Sequence, residues 1–109
     1  MPDVTAERRC APRYPLVLAA DVVELSRGAR MSARTSDISS TGCYIDTLNP
    51  VPKGSQVRIR ITHYEEVFEA LARVVYVSPG LGMGVTFESV DADQQSTLAR
   101  WLGGPAKEI

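Results

Sequence analysis

Between Lys53 and Tyr64 the apolar residues fall on every second position: Val57, Ile59 and Ile61 alternate with Gln56, Arg58 and Arg60. A period of two is the period of a strand, whose side chains leave on opposite faces in turn. The chain repeats this pattern, and each run ends in turn chemistry. Leu16, Leu18, Ala20 and Val22 alternate with a second set as far as Leu25, and Ser26-Arg27-Gly28 closes that run. Arg30 to Ser36 resumes it, with Met31, Ala33 and Thr35 on one side. Cys43-Tyr44-Ile45 makes a short strand, and Asn49-Pro50-Val51-Pro52-Lys53-Gly54 a rigid connection. After the turn at His63-Tyr64-Glu65-Glu66, Val67 to Val77 is apolar on both faces, which predicts a long, central strand that bends. Ser78-Pro79-Gly80 separates it from Leu81 to Phe87, where Met83, Val85 and Phe87 point one way and Gly82 and Gly84 permit close approach or a bulge. Six strands at this spacing predict a mainly β protein, a small six-stranded antiparallel barrel.

The period changes near the C-terminus. Leu98, Trp101 and Leu102 sit at i, i+3 and i+4, an apolar stripe on a helix. Asp91 with Gln94 predicts a capping box at its start, and Gly103-Gly104-Pro105 stops it. The stripe is expected to pack on one opening of the barrel. The chain of 109 residues is long enough for one modest core. It divides into a flexible arm at 1–15, the barrel with its helix at 16–104, and a tail at 105–109.

A net charge of −1 excludes a generally basic nucleic-acid or membrane binder, while leaving room for a local patch. No apolar run reaches the length of a membrane span and the N-terminus carries no apolar signal core, so the expected location is the cytoplasm. Cys10 and Cys43 read as free thiols, and no C-x-x-C offers a zinc site. No metal or cofactor is expected.

Two stretches carry chemistry. Arg8-Arg9-Cys10-Ala11-Pro12-Arg13 brings three guanidiniums into a short segment that Pro12 and Pro15 keep out of a helix. The guanidinium fork matches both a phosphate and the O6/N7 edge of guanine. Asp37-Ile38-Ser39-Ser40-Thr41-Gly42 sets a carboxylate, which accepts paired N–H donors, before serine hydroxyls and a glycine that permits a positive φ where the chain turns back. A ligand carrying guanine and phosphate suits both.

The pairing Arg9-x-x-x-Arg13 followed by Asp37-x-Ser39-x-x-Gly42 resembles the PilZ family of bacterial cyclic di-GMP (c-di-GMP) receptors, from about Glu7 to Gly104. The resemblance implies that Arg9 and Arg13 clamp guanine edges and neutralise phosphodiesters. It implies that Asp37 accepts from guanine N1–H and N2–H, that Ser39 donates to a phosphate or to the arm, and that Gly42 keeps a Cβ out of the ligand's path. An arginine at Arg8 implies an intercalated pair of ligand molecules. Tyr76 falls where some family members set an aromatic against guanine. The implied mechanism is a c-di-GMP receptor whose arm orders on the ligand and changes a surface read by a downstream protein. No nucleic acid polymer and no membrane insertion are implied, and the chain acts as a monomer or homodimer.

An enzyme is not indicated, because His63, the only histidine, has no nucleophile pattern near it. A ligand-free PilZ-like interaction adaptor is the alternative, yet such members usually lack the arginine arm or the aspartate motif. A barrel for single-stranded nucleic acid would need aromatic platforms and a broad basic groove, against a negative net charge here.

Overall fold

The structure, a computed structural model, describes residues 13–103. Six strands, β1 (Ala19–Glu24), β2 (Ala29–Ile38), β3 (Gly42–Asp46), β4 (Gln56–His63), β5 (Glu66–Ser78) and β6 (Gly82–Ser89), precede one helix, α1 (Ala92–Trp101). The sheet closes in the order β1-β2-β3-β6-β5-β4, all pairs antiparallel. This is the mainly β barrel with a C-terminal helix that the periodicity predicts. Closure gives every one of these strands a partner on both sides over part of its length.

The alternation of β4 is realised without a break, Val57, Ile59 and Ile61 being fully buried. They meet Val22, Ile38, Ile45, Phe68, Val74 and Met83 in one core. The connection from β3 to β4 crosses one end of the barrel and contributes Val51 to this core. At the other end α1 lays Leu98, Trp101 and Leu102 on the same cluster, with the Trp101 ring against Phe68. The turn from β4 to β5 runs through Tyr64 at φ 59, the left-handed conformation that suits a two-residue hairpin.

Two expectations are corrected. The first strand begins at Ala19, not Leu16. The backbone ahead of it is held by Thr35, whose hydroxyl donates to the Leu16 carbonyl (2.7 Å) and accepts from the Leu18 N–H (3.0 Å). The capping box does not form, since Asp91 is the N-cap without a side-chain hydrogen bond. Gln94 is drawn elsewhere: its Oε1 accepts from the Glu69 N–H at 2.8 Å. β5 is longer than β6 and is paired to it only from Leu71 onward, so the Glu69 amide is satisfied by the helix that covers this stretch.

The bend expected in β5 has a particular form. Register shifts lie between Val74 and Tyr76 in β5 and between Thr35 and Asp37 in β2. Each inserts one residue, and one extra residue reverses which face the following side chains take. Thus Thr35 and Ile38 are both buried although three positions apart, and Asp37 is turned outward. Likewise Val74 is buried, Val77 packs on the core, and Tyr76 lies outside.

Candidate functional site

The two bulges bring one outer row together. Asp37 pairs with Tyr44, Tyr44 with Gly84, and Gly84 with Tyr76, so four strands contribute to a single line across the barrel wall. Bulges commonly re-aim side chains beside functional sites.

At the β2 end of this row the chain returns on itself. Tyr14 makes an isolated bridge to Ile38, with Tyr14 N–H donating to the Ile38 carbonyl (2.8 Å) and Ile38 N–H to the Tyr14 carbonyl (2.9 Å). That bridge sets Arg13 beside Asp37, and Arg13 Nη1 donates to Asp37 Oδ1 at 3.0 Å. Both side chains are partly exposed, and an exposed ion pair is worth only about 0–1 kcal/mol. The pair therefore positions without locking. Arg8 and Arg9, and Cys10 between them and Arg13, lie outside the described residues.

Ser39 is buried, and its hydroxyl works inside the loop. The Oγ accepts from Thr41 N–H (3.1 Å) and Gly42 N–H (3.2 Å) and lies 3.2 Å from the Gly42 carbonyl, which also accepts from Ser39 N–H at 2.8 Å. Its observed effect is to shape the turn that follows Asp37. Gly42 departs from the expectation of a positive φ, which among the described glycines is found only at Gly28, Gly54, Gly80 and Gly103. It opens β3 hard against β6, where a Cβ would lie 2.2 Å from the Val85 carbonyl oxygen. Close approach, not turning, requires the glycine. Next to it, burial foremost and the Asp37 carboxylate second push the Cys43 thiol up to about 12, so it stays protonated.

Tyr76 is 43% exposed at the far end of the row, its ring centroid 6.0 Å from that of Tyr44. Sequence reasoning passed over Tyr44. The signal was present: Tyr44 stands between two core residues of a strand, so it faces outward, and Gly82-x-Gly84 repeats on one face of the neighbouring strand. The reading of Trp101 as a packing residue is met by its contacts, its Nε1–H donating to Glu66 Oε1 at 2.8 Å. Arg100 donates to the other oxygen of Glu66, and these two bonds, Arg100 first, hold the carboxyl below its ordinary range. Among the described residues no cluster of three or more His, Cys, Asp or Glu could hold a metal, and no helix is long and apolar enough to cross a membrane.

Comparison with solved structures gives barrels of the same kind. The PilZ domain of CeSA from a cellulose-synthesising bacterium is 20% identical with a TM-score of 0.67, over 83% of this chain and 93% of that one. The PilZ domain of YcgR from Escherichia coli, solved with c-di-GMP, is 17% identical with a TM-score of 0.73, over 93% of both chains. The inhibitor of motility MotI/DgrA of Bacillus subtilis is 18% identical with a TM-score of 0.73, and the match covers 86% of this chain but 49% of that one. At such identities the likeness is one of fold. No curated protein matches. The PilZ domain model, however, matches residues 7–104, from ahead of the arginine cluster to the end of the helix. The chain belongs to the PilZ domain family.

Proposed function

We propose that this chain is a c-di-GMP receptor, in which Arg8, Arg9 and Arg13 of the arm, together with Asp37 at the end of β2, Ser39 in the turn after it and Gly42 at the start of β3, form the ligand site. The observation that carries the reading is the contact of Arg13 with Asp37, fixed by the Tyr14–Ile38 bridge at the rim of a PilZ barrel. The PilZ domain of YcgR was solved with c-di-GMP, which supports the ligand class.

Asp37 reads guanine by accepting from N1–H and N2–H, a donor pair that adenine lacks. Arg9 and Arg13 supply forks to guanine edges and charge to the phosphodiesters, each good bidentate pair discriminating by about 1–3 kcal/mol. Since the Arg13–Asp37 pair is weak, guanine can take over Asp37 while Arg13 turns to the ligand. Ser39 acts by holding the loop that presents Asp37. Arg8 bridges to a second, intercalated ligand molecule. The arm, held on the ligand, alters a surface read by a downstream protein, and no reaction is catalysed.

Calorimetric titration of the full chain with c-di-GMP tests this, alongside Arg9→Ala, Asp37→Ala and Arg8→Ala. The expected result is saturable binding that the first two abolish, with a two-to-one ligand ratio falling to one-to-one in Arg8→Ala. A folded wild-type chain that does not bind would overturn the reading.

A further inference from the structure

The segment around β1 is apolar on both of its faces. Ala20 and Val22 lie in the core, with Leu18 packed against it. The outward set reads Val17, Ala19, Asp21, Val23 and Leu25, with one charged member. A strand apolar on both sides is the pattern of one covered on both sides. Here the outer side is open: Val17 is 62% and Leu25 37% exposed, with Ala19 exposed and Val23 half-buried between them. The helix α1 lies over β5 instead. The outward ribbon from Val17 to Leu25 is about 27 Å long.

Arginines flank this ribbon on both sides. Arg34, Ala19 and Thr62 form one row across β2, β1 and β4, and Arg30, Val23 and Arg58 form another. Between these rows Arg60 stands beside Asp21. All four arginines are exposed. Arg34 and Arg60 make loose ion pairs on the sides away from β1, 3.9 Å to Asp46 and 3.5 Å to Glu69. Among the described residues, Arg30 and Arg58 make none. On a chain of net charge −1 the positive sign of this wall is local. Apolar side chains set among arginines are what protein interfaces favour.

The geometry limits the partner. β1 is hydrogen-bonded to β2 on one side and to β4 on the other, so a partner has no edge to extend here and must cover the face. The arginines of β2 and β4 are two strand spacings apart, about 10 Å, which is the width of an α-helix. A helix laid along β1 sets an apolar stripe on the ribbon and its two flanks against the arginines. About 18 residues of helix match the ribbon's length. A uniformly anionic surface, nucleic acid or lipid headgroups, would instead meet the Asp21 carboxylate at the ribbon's centre with like charge.

We propose that the β2–β1–β4 wall is a docking surface for an acidic amphipathic helix of a partner protein. Its apolar stripe covers Val17, Ala19, Val23 and Leu25, and its flanking carboxylates pair with Arg30 and Arg58. The wall shares only β2 with the row of Asp37, Tyr44 and Tyr76, and its test needs no c-di-GMP, so the receptor reading stands or falls separately.

The probe is a synthetic peptide of about 18 residues with a leucine stripe at helical spacing and glutamate on both flanks. Amide spectra of the isotope-labelled full chain are followed as it is added. Saturable shifts are expected in β1 and in the facing residues of β2 and β4, and none with a peptide carrying lysine in place of glutamate. Arg30→Glu combined with Arg58→Glu is expected to weaken the glutamate peptide at least about tenfold and to admit the lysine peptide, since each reversal turns attraction into repulsion. Val17→Ser, at an exposed site, weakens the glutamate peptide without admitting the other, and thermal melts check folding. Absence of binding, shifts outside this wall, or equal affinity for the two peptides in the wild type overturns the proposal without any variant. A 20-base-pair DNA duplex or phosphatidylserine vesicles that displace the peptide would assign the wall to an anionic surface and overturn the helix. Shifts of the ribbon that grow with the concentration of the chain alone would give it to a second copy, and overturn it likewise.

Discussion

Thr35 shows how one buried hydroxyl can organise the approach to the site. It is fully buried, and its Oγ serves both the Leu16 carbonyl and the Leu18 N–H, where a strand ladder would otherwise have continued. Thr35 N–H in turn donates to the Leu18 carbonyl at 2.9 Å. The segment that delivers Tyr14 to Ile38, and so Arg13 to Asp37, is thus anchored on Thr35 through its hydroxyl and its amide. Valine has nearly the same shape and no hydroxyl. Thr35→Val is expected to leave a carbonyl and an amide without their partner and to cost about 1–3 kcal/mol. Urea denaturation checks this, as a lower midpoint with an unchanged slope. A midpoint equal to the wild type would mean that water replaces the hydroxyl at no cost.

At the scale of elements, α1 is held to the barrel by a stripe and a pin. The stripe is Leu98, Trp101 and Leu102 on the core, and the pin is Glu66 of β5 receiving Arg100 and the Trp101 indole. Because its folded-state pKa lies below the ordinary value of 4.5, the ionised Glu66 favours the folded state. That contribution is complete above the ordinary value and is lost as pH falls through the lowered one. Glu24 and Glu88 are lowered too, chiefly by Arg27 and Arg73, so acid destabilises the chain in any case. The stability difference between the wild type and Glu66→Gln is therefore expected to be largest at neutral pH and to shrink below about 4.5, and Trp101, the only tryptophan, reports it by fluorescence. A difference independent of pH would place the pin elsewhere. The strands and the helix stripe were legible in the sequence because period two and period 3.6 are local properties. The bulges were not. Continued alternation from Thr35 would send Asp37 into the core and keep Tyr76 on the face of Val74. Only pairing against β3 and β6 inserts the extra residue that turns both outward. Gln94 eluded the capping pattern for a related reason, since the amide it serves belongs to Glu69, distant in sequence. The aspartate motif itself was readable, and the outward face of Tyr44 was too, but its alignment with Asp37 and Tyr76 in one row depends on the bulges.

At the scale of the whole molecule, the sheet closes through β1 pairing with β4, and the site sits on the outside of that closed wall. Among the described residues, the core and the ladder that closes the barrel are continuous from β1 to α1. Ligand binding, on the reading proposed here, needs the residues before Arg13 as well. That need is tested by comparing the full chain with one lacking residues 1–12. Without ligand, the melting temperature of each chain sets the baseline from which its own ligand-induced shift is read. With c-di-GMP at about a hundred times its dissociation constant, binding stabilises the folded full chain by about 2.7 kcal/mol. For a domain of this size that corresponds to a melting shift on the order of 10 °C. The shortened chain keeps Asp37, Ser39 and Gly42 but lacks Arg8 and Arg9, and its shift is expected to vanish. An equal shift in both chains would move the ligand-binding charge from the arm to the barrel wall. There Arg34, close to Asp46 in the row beside Asp37, would be the first arginine to replace.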